Sequence, residues 1–278
     1  MPEGDTIYRT AVTLRDALVD RVIADATSDD PHVDAELLIE RRILSVEPRG
    51  KHLLVDASGV TIHSHMGMKG AWHVYGREER WQKSRRSAAL VLTCENGGEA
   101  MLAVCFLPKW LELLSPTALR RHRWLSQLGP DLLASRFDGR ACASRMKLHA
   151  KRAIGEVLLD QSVICGIGNV YKSEMLFLAG IHPFRQVGDV GDEALVALLE
   201  STRQSMLRNL SGYPRRTRFR EGPGLWVYDR RGERCLRCGE RIERRHQGEL
   251  PRSSYWCPTC QPPPADFGNP KSVTELSP

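Results

Sequence analysis

The first twenty residues carry apolar side chains at helical spacing. Each lies three or four positions after the last, so that all of them fall on one stripe of a helix. The stripe consists of Ile7, Ala11, Leu14 and Leu18. From Arg42 to about Leu114 the texture changes to short apolar runs bounded by turns such as Asn96-Gly97-Gly98, which is typical of β-strands. The pattern predicts a helix over 6–19 that flanks a β-sandwich.

The middle of the chain reads as a second, helical region. Apolar residues at helical spacing predict one helix over 152–161 and another over 170–179, which Gly180 caps. Between them, the Gly166-Ile167-Gly168-Asn169 sequence breaks the pattern. The turn places Asn169 at a helix N-terminus, where a phosphate group fits, and Lys172 lies one turn further along.

This turn has two rival interpretations. A dinucleotide-binding loop requires a third glycine where Tyr171 stands, and a strand where the preceding segment is predicted to be helical. We therefore reject that interpretation. A plain interhelical turn without a ligand stays open.

A chain of 278 residues is long enough for two domains and a small third one. It contains no apolar run of the roughly 20 residues that span a bilayer. Glu3 and Asp5 interrupt any basic-then-apolar leader pattern. We therefore expect a soluble, intracellular protein of the cytoplasm with no membrane partner.

The formal net charge of +6 is unevenly distributed along the chain. Residues 201–260 contain 14 Arg, no Lys and 6 Asp or Glu, a balance of +8, and the remainder of the chain is slightly acidic. The planar guanidinium pairs with phosphate in a bidentate manner that an ammonium cannot match. This basic C-terminal third of the chain favours a polyanion such as nucleic acid as partner. The alternative is a basic, solvent-exposed surface that binds no polyanion.

Four of the eight cysteines form two Cys-x-x-Cys pairs near the C-terminal end, Cys235 with Cys238 and Cys257 with Cys260. Each pair can present two thiolates to one tetrahedral ion, and the 18 residues between the pairs fit a β-hairpin. The spacing favours one structural Zn²⁺ per chain over a redox dithiol. The remaining cysteines are expected to be buried, inert thiols: Cys94, Cys105, Cys142 and Cys165.

The chain begins Met1-Pro2-Glu3-Gly4, and removal of Met1 would leave Pro2 with a free secondary amine. An α-amino group titrates near ~8, and an amine of this kind attacks an aldehyde carbon to form an iminium, as a Schiff-base lysine does. Glu3 stands beside it as a proton donor or acceptor. The plain alternative is an ordinary start followed by a loop.

Three features of the predicted sandwich carry candidate chemistry. Lys51 follows a tight Arg49-Gly50 turn at the mouth of a strand. His63 and His65 lie two positions apart and share one face of a strand; a metal site there lacks an evident third ligand, so hydrogen-bonded pocket histidines are the better interpretation. Met68 stands in a glycine-flanked loop, a poor position for a core residue, and could wedge into a base stack.

Several of these features recur together, in this order, in one known family. They are Pro2-Glu3-Gly4, Arg49-Gly50-Lys51, His65-Met66-Gly67-Met68, the Gly166 to Glu174 segment and the zinc hairpin that ends in Tyr255-Trp256-Cys257-Pro258-Thr259-Cys260-Gln261. From Pro2 to Gln261 the chain resembles the formamidopyrimidine-DNA glycosylase/endonuclease VIII family of DNA-repair enzymes, on the endonuclease VIII branch.

The resemblance implies an α+β multidomain fold. Its parts are an N-terminal β-sandwich with a flanking helix, a helix–two-turn–helix domain and a C-terminal zinc β-hairpin. We expect the catalytic sandwich over 1–120, the helical DNA-binding domain over 121–224, the four-cysteine zinc finger over 225–262 and a disordered tail over 263–278.

The resemblance also implies a bifunctional DNA glycosylase and abasic-site lyase of base excision repair, acting on damaged DNA as a monomer. Pro2 would attack the anomeric carbon of a damaged nucleotide, with Glu3 as general acid. Lys51 would contact the phosphate beside the lesion and assist the elimination steps. Met68 would fill the gap left by the flipped base. The phosphate-binding residues would be Asn169 and Arg252. Lys172 is a further DNA-binding candidate because it lies one turn along the same helix as Asn169.

Two departures from the family pattern bear on the substrate. Thr6 stands where members commonly carry a glutamate, and Asp5 is the candidate to compensate. The segment 106–110 lacks the Arg-Phe-Gly intercalating loop of the formamidopyrimidine branch. Oxidised pyrimidines and abasic sites are therefore the expected substrates, rather than 8-oxoguanine opposite cytosine.

A non-catalytic zinc-ribbon protein that binds damaged DNA or RNA is the competing hypothesis. Its basic zinc hairpin would look the same. Pro2 and Glu3 distinguish the two, because a pure binder has no use for an unblocked secondary amine.

Overall fold

The computed structural model describes residues 2–212, 214–249, 251–265 and 267. Its α-helices are α1 (Gly4–Leu18), α2 (Pro116–Arg121), α3 (Gly139–Lys147), α4 (Ile154–Val157), α5 (Asn169–Ala179) and α6 (Asp192–Arg208). Its strands are β1 (Val22–Thr27), β2 (Ser45–Arg49), β3 (His52–Ala57), β4 (Val60–His65), β5 (Ala71–Gly76), β6 (Ala88–Asn96), β7 (Glu99–Phe106), β8 (Trp110–Leu114), β9 (Glu243–Gln247) and β10 (Arg252–Trp256).

The chain divides into two compact units. One takes in Met1–Phe137 and Met206–Ser211, and the other takes in the rest of the chain. The division into four segments that the sequence suggests is finer than this and stays a prediction. Most of the predicted tail, 266 and 268–278, lies outside the described residues.

The first unit contains the predicted β-sandwich. Two antiparallel sheets have the strand orders β1-β6-β7-β5 and β2-β3-β4-β8. The sequence pattern missed β1, where Ile23 and Ala26 are the buried residues. A register shift between Ile23 and Asp25 breaks the alternation of apolar and polar positions, and with it the period-2 signal of a strand.

Helix α1 is amphipathic as predicted and begins two residues earlier than expected. Its apolar stripe is buried against the sheets, with Ile7, Ala11, Leu14 and Leu18 all at most 1% exposed. Arg15 ties the helix to the sandwich by donating to the carbonyl of Val46 on β2 at 2.6 Å. The core therefore fixes the direction in which the first residues of the chain point.

The helical region differs from the sequence prediction over 152–161. This segment forms the single turn α4, because its backbone bonds elsewhere: Ile154 N–H donates to the carbonyl of Arg185 and Gly155 N–H to that of Pro183. Its apolar residues are buried all the same. The second predicted helix is present as α5, and Gly180 caps it with φ of 69°.

The two Cys-x-x-Cys pairs flank the predicted β-hairpin. Strand β9 pairs with β10 in antiparallel register, from Arg252 opposite Gln247 to Trp256 opposite Glu243. Among the described residues, no helix is both long enough and apolar enough to cross a membrane.

Candidate active site and nucleic-acid interface

Pro2 and Glu3 lie immediately before the N-terminal end of α1. The carbonyl of Glu3 accepts hydrogen bonds from Thr6 N–H at 2.9 Å and Ile7 N–H at 3.1 Å, which opens the helix. The Glu3 side chain is fully buried, and Pro2 is half-buried. The positive end of the helix dipole lies beside these two residues.

A cleft of about 220 Å³ opens beside this helix end. Its lining combines the start of α1, the end of β2 and a later turn: Gly4, Tyr8, Pro48, Arg49, Gly50, Asp131, Leu133 and Ala134. The fold thus brings the start of α1 and the Arg49-Gly50 turn to one place.

Asp131 holds that turn and was not found from the sequence. One carboxylate oxygen accepts from Gly50 N–H at 2.6 Å, and the other accepts from Leu133 N–H at 2.8 Å. Gly50 has φ of 59°, a left-handed conformation that glycine adopts without strain. The available signal was the Gly129-Pro130-Asp131 sequence, which is typical of a turn.

Lys51 occupies the two-residue connection between β2 and β3, next to a group of histidines. Burial, with smaller contributions from neighbouring positive charges that include Lys51, lowers the pKa of His52 to about 3 and the pKa of His65 to about 4. Both imidazoles are therefore neutral near pH 7.

The histidines are hydrogen-bonded, as the sequence suggested. His63 is fully buried; one ring nitrogen lies 2.8 Å from Nδ1 of His52, and the other lies 2.7 Å from Oε1 of Glu112. His122 Nε2 lies 2.9 Å from the same carboxylate oxygen. Glu112 and His122 were missed because they come from β8 and from the residue after α2, about fifty residues away in the chain.

Asp5 and Thr6 form a local pair at the start of α1. Asp5 is fully buried, and its Oδ1 accepts from the backbone N–H of Thr6 at 2.8 Å. Asp5 therefore places a carboxylate in the first turn of the helix, where the dipole favours negative charge. Whether it replaces the family glutamate stays a prediction.

Met68 lies at the tip of the loop between β4 and β5 and is 71% exposed. The connection between β7 and β8 lies against this loop, because an added Cβ on Gly67 would meet the Lys109 side chain at 2.9 Å. That connection consists of only Leu107, Pro108 and Lys109, and Leu107 is 50% exposed. Two apolar tips therefore project from neighbouring loops.

Asn169 begins α5, directly after the N-cap residue Gly168. Its side chain is 7% exposed, and within the described residues its Oδ1 has no hydrogen-bond partner. A buried polar atom without a partner is costly and is consistent with a ligand at this helix end.

Lys172 lies inside the protein instead of at the surface that the sequence suggested. Its ammonium is fully buried and donates to the carbonyl of Ser253 at 3.2 Å and to Oγ of Ser254 at 2.8 Å. A side chain without exposed surface does not reach a phosphate, so we correct the assignment of Lys172 from DNA binding to positioning. It links the first turn of α5 to β10, in which the exposed Arg252 directly precedes Ser253.

Glu174 is a further buried charge that the sequence analysis left without a role. Its carboxylate accepts from the backbone N–H groups of Trp226, Val227 and Tyr228 at 2.7–2.8 Å and from the hydroxyl of Thr217. Burial raises the pKa of Glu174, while these hydrogen bonds favour the ionised form. Glu174 therefore anchors the segment 226–228 to α5.

The four predicted zinc ligands converge on one point. Their sulfur atoms all lie within 4.8 Å of one another, with Cys235 Sγ 3.9 Å from Cys260 Sγ and Cys238 Sγ 3.4 Å from Cys257 Sγ. A tetrahedral zinc with Zn–S bonds of ~2.3 Å separates its sulfurs by ~3.8 Å. The four thiols thus form a site for one zinc ion, which is structural because four protein ligands complete its coordination.

Comparison with known protein families gives three matches along the chain. Residues 1–103 match the formamidopyrimidine-DNA glycosylase N-terminal domain. Residues 128–217 match the formamidopyrimidine-DNA glycosylase H2TH domain. Residues 232–263 match the zinc finger found in FPG and IleRS.

Individual proteins match over nearly the whole chain. A probable endonuclease 8 of Streptomyces coelicolor is 37% identical, over 95% of both chains. A DNA-(apurinic or apyrimidinic site) lyase of Mycolicibacterium smegmatis is 35% identical, over 94% of this chain and 99% of its own. The fold matches that of Lactococcus lactis Fpg solved with abasic-site DNA, with a TM-score of 0.78 and 22% identity, covering 94% of this chain and 100% of that one.

The order of domains, the zinc site and relatives of this identity and coverage all agree with the resemblance that the motifs suggested. The chain belongs to the formamidopyrimidine-DNA glycosylase/endonuclease 8 family of DNA glycosylases with abasic-site lyase activity.

Proposed function

We propose that this enzyme removes oxidised pyrimidines from DNA and then cleaves the abasic site by β- and δ-elimination through a Schiff base on Pro2. The observation that carries the proposal is the place of Pro2, at the positive end of α1 beside the buried carboxyl of Glu3. Gly4, two residues later, lines the cleft that also contains the Arg49-Gly50 turn.

The chemistry follows from the secondary amine. Attack by the Pro2 nitrogen on C1′ expels the damaged base, while Glu3 supplies a proton to the ring oxygen of the sugar. The opened sugar is then bound to the enzyme as an iminium, which acidifies the C2′–H bond. Loss of that proton ejects the 3′ phosphate, and a second elimination ejects the 5′ phosphate. One residue thus accounts for both glycosylase and lyase activity.

Asn169 and Arg252 are proposed to hold the DNA backbone. The Lys172 ammonium bonds Ser253, so the first turn of α5 and the first residues of β10 are pinned together, with Asn169 on one and Arg252 on the other. A helix N-terminus and an exposed guanidinium are both suited to phosphate. Damaged or abasic-site DNA is also what the structural neighbours from Lactococcus lactis bind.

Met68 is proposed to fill the space that the flipped nucleotide leaves. An exposed, unbranched apolar side chain on a glycine-flanked loop can enter a base stack. The neighbouring connection 107–109 is short and carries no Arg-Phe-Gly sequence. This difference supports oxidised pyrimidines, rather than 8-oxoguanine opposite cytosine, as the main substrates.

Borohydride trapping tests the nucleophile. Native enzyme is expected to form a covalent adduct with abasic-site DNA, and Pro2→Gly or an N-terminal tag should reduce or abolish it, because the secondary amine is lost or blocked. Pro31→Gly, an exposed loop proline, is the matched control and should trap as native. An N-terminally blocked protein that cuts as fast as the native one would refute the mechanism, and binding without any cutting would support the non-catalytic alternative.

Cleavage assays with the same native enzyme test the substrate assignment. Oligonucleotides that each carry one defined lesion should be cut faster when the lesion is an oxidised pyrimidine than when it is 8-oxoguanine opposite cytosine. The reverse order would overturn the substrate assignment and leave the nucleophile untouched.

A further inference from the structure

Two tryptophans of the first unit are exposed side by side. Trp110 is the first residue of β8, and Trp124 lies three residues after α2. Their ring centroids are 4.7 Å apart at an interplanar angle of 55°, and the two residues are 45% and 40% exposed. Single exposed apolar residues are common on protein surfaces, whereas adjoining ones mark a surface with a binding partner. Trp110 and Trp124 thus form an exposed tryptophan pair.

The sheet β2-β3-β4-β8 fixes the position of Trp110. Trp110 lies opposite His65 on β4, and its chain neighbour Leu111 belongs to the core of the sandwich. Successive residues of a strand point to opposite faces, so Trp110 lies on the face turned away from that core. Lys109 N–H donates to the carbonyl of His65 at 2.8 Å, which holds the beginning of β8 beside the end of β4.

Hydrogen bonds around His122 fix the position of Trp124. His122 Nε2 lies 2.9 Å from Oε1 of Glu112 on β8, and because a carboxylate only accepts, the imidazole N–H is the donor. The other ring nitrogen, Nδ1, accepts from the backbone N–H of Leu125 at 3.2 Å, and Leu125 is buried. Trp124 therefore stands between two anchored residues. Its ring meets that of His122 edge-on, with centroids 5.8 Å apart.

The surroundings of the tryptophan pair are basic. Residues 107–127 contain one lysine, three arginines and one acidic residue. That acidic residue is Glu112, whose carboxylate is bonded to His63 as well as to His122. The ammonium of Lys109 lies 6.0 Å from the centre of the Trp110 ring. The four cationic side chains of the segment are all exposed: Lys109, Arg120, Arg121 and Arg123.

A ligand that suits this surface combines a flat aromatic face with negative charge. Unpaired nucleotides have both, since bases stack on aromatic side chains while Lys and Arg follow the phosphate backbone. Inside a duplex each base is covered on both faces by its neighbours, so the tryptophans find no free face to stack on. The chemistry of the pair therefore favours single-stranded DNA over duplex DNA.

We infer that the tryptophan pair is a stacking site for unpaired bases, by which the protein binds single-stranded DNA. The site adjoins the loop that carries Met68, because an added Cβ on Gly67 would meet the Cβ of Lys109 at 2.9 Å. Stacking on the two rings supplies affinity without a sequence preference, and the exposed cations hold the backbone. The inference goes beyond the proposed function and does not rest on Pro2 as nucleophile, because the pair binds undamaged bases.

A second copy of this chain is the competing occupant. Aromatic residues are enriched at protein interfaces, and two exposed tryptophans suit one. A two-fold interface, however, brings the same patch of both copies together. The four cations of residues 107–127 would then face the same four cations across it, and like charges repel. The charge of the segment therefore favours a polyanion.

Photocrosslinking of the native enzyme locates the site. The probe is a single-stranded oligo-dT of about 20 nucleotides, in which some thymines are replaced by 5-bromouracil. On irradiation this base crosslinks to aromatic side chains that it contacts. Peptides that contain Trp110 or Trp124 are expected to carry the adduct. Adducts confined to other peptides would overturn the inference.

Substitutions separate stacking from apolar contact. Fluorescence anisotropy measures the Kd for oligo-dT and for a blunt duplex of the same length. Trp124→Leu keeps an apolar side chain but loses the aromatic face, so it should weaken binding of oligo-dT relative to the duplex about fivefold or more. Trp124→Phe keeps an aromatic ring and should retain most of the affinity. Leu44→Ala is the matched control, because it removes an exposed apolar side chain elsewhere in the first unit, and it should leave both Kd values unchanged.

Three binding results would contradict the stacking site. They are no binding of oligo-dT by the native enzyme, equal affinities of Trp124→Leu and Trp124→Phe for it, and self-association of the native enzyme that Trp124→Leu abolishes while oligo-dT binding stays the same. The last result, measured by analytical ultracentrifugation, would assign the pair to a second copy. If Trp124→Leu does not fold, crosslinking of the native enzyme still decides. Failure of the proposed function looks different, because the native enzyme would then bind oligo-dT and give no trapped adduct with abasic-site DNA.

Discussion

At the scale of single residues, carboxylates that accept backbone N–H groups shape both units. Asp131 holds Gly50 and Leu133 in the first unit, and so places the turn that carries Lys51. Glu174 holds 226–228 in the second. The contact of Asp131 with Gly50 and those of Glu174 with 226–228 join segments that are far apart in the sequence.

Replacing Glu174 by Gln is expected to destabilise the second unit by about 2–4 kcal/mol. The amide turns one acceptor into a donor that faces converging N–H groups, and buried donors without an acceptor cost about 1–3 kcal/mol each. Chemical denaturation followed by tryptophan fluorescence measures the loss, since Trp226 lies in the anchored segment. Glu193→Gln is the control: its ion pair with Arg140 is exposed, at 77% and 74%, and should change stability by less than about 0.5 kcal/mol. Equal effects of the two variants would contradict the anchoring role.

At the scale of elements, the zinc hairpin and α5 are held together by a chain of hydrogen bonds and by a hydrophobic cluster. Lys172 donates to Ser254, Ser254 Oγ–H donates to Gln247 Oε1 at 2.7 Å, and Gln247 donates to the carbonyl of Pro183 at 2.9 Å. Around this chain, Phe177 of α5 packs in a cluster with residues of the hairpin, among them Tyr255. Such a small cluster needs the metal for its stability.

Cys238→Ala is expected to release the zinc and unfold the hairpin, because three thiolates and a methyl group no longer complete a tetrahedral site. Metal analysis should fall from one zinc per chain to nearly none, and hydrogen exchange should lose its protection in β9 and β10. Cys142→Ala is the matched control, since Cys142 is 1% exposed and burial raises the pKa of its thiol. It should keep a full equivalent of zinc. Retention of zinc by Cys238→Ala would disprove the four-thiolate site.

At the scale of the whole molecule, both units bury neutral histidines. Burial lowers the pKa of His52 in the first unit to about 3 and that of His182 in the second to about 4. His182 lies among the rings of Phe184, Trp256 and Phe267. Within the described residues its Nε2 has no hydrogen-bond partner. Protonation of either ring would place a charge in the protein interior.

Stability should therefore fall as the pH is lowered from 7 to 5. An unfolded histidine binds its proton near ~6.5, well above the folded values, so the unfolded state takes up more protons in this window and gains free energy. Each buried ring should remove about 1–2 kcal/mol by pH 5. Urea unfolding at the two pH values measures the change, and His182→Gln should reduce the slope. A flat profile for the native protein would show that these rings are not held neutral.

The elements that were predicted correctly are those whose signal is local. The stripe of α1, the Gly180 cap and the Cys-x-x-Cys spacing each lie within a few residues of one another, and backbone geometry translates them directly into structure. Segment 152–161 failed because its apolar residues are buried without a full helix, its N–H groups being bonded to the carbonyls of Pro183 and Arg185. Periodicity reports burial and does not show where backbone hydrogen bonds go.

The candidate site divides in the same way. From the residues and their resemblance to a family came the proposed nucleophile Pro2, the zinc ligands and the exposed Met68. Packing was needed to place Lys172 in the interior, since an ammonium with Ser253 and Ser254 as acceptors is stable there. Packing also brought Glu112 and His122 to His63 across about fifty residues of chain.

The amino-acid sequence alone determined which chemical groups this protein possesses and which short segments carry them. Covalent neighbours and helix or strand periods can be recognised without knowledge of the rest of the chain. Which groups meet was settled by folding. The bond between His63 and Glu112, the partners of Lys172 and the contacts of Glu174 all join distant segments, and such hydrogen bonds form only once both partners are in place.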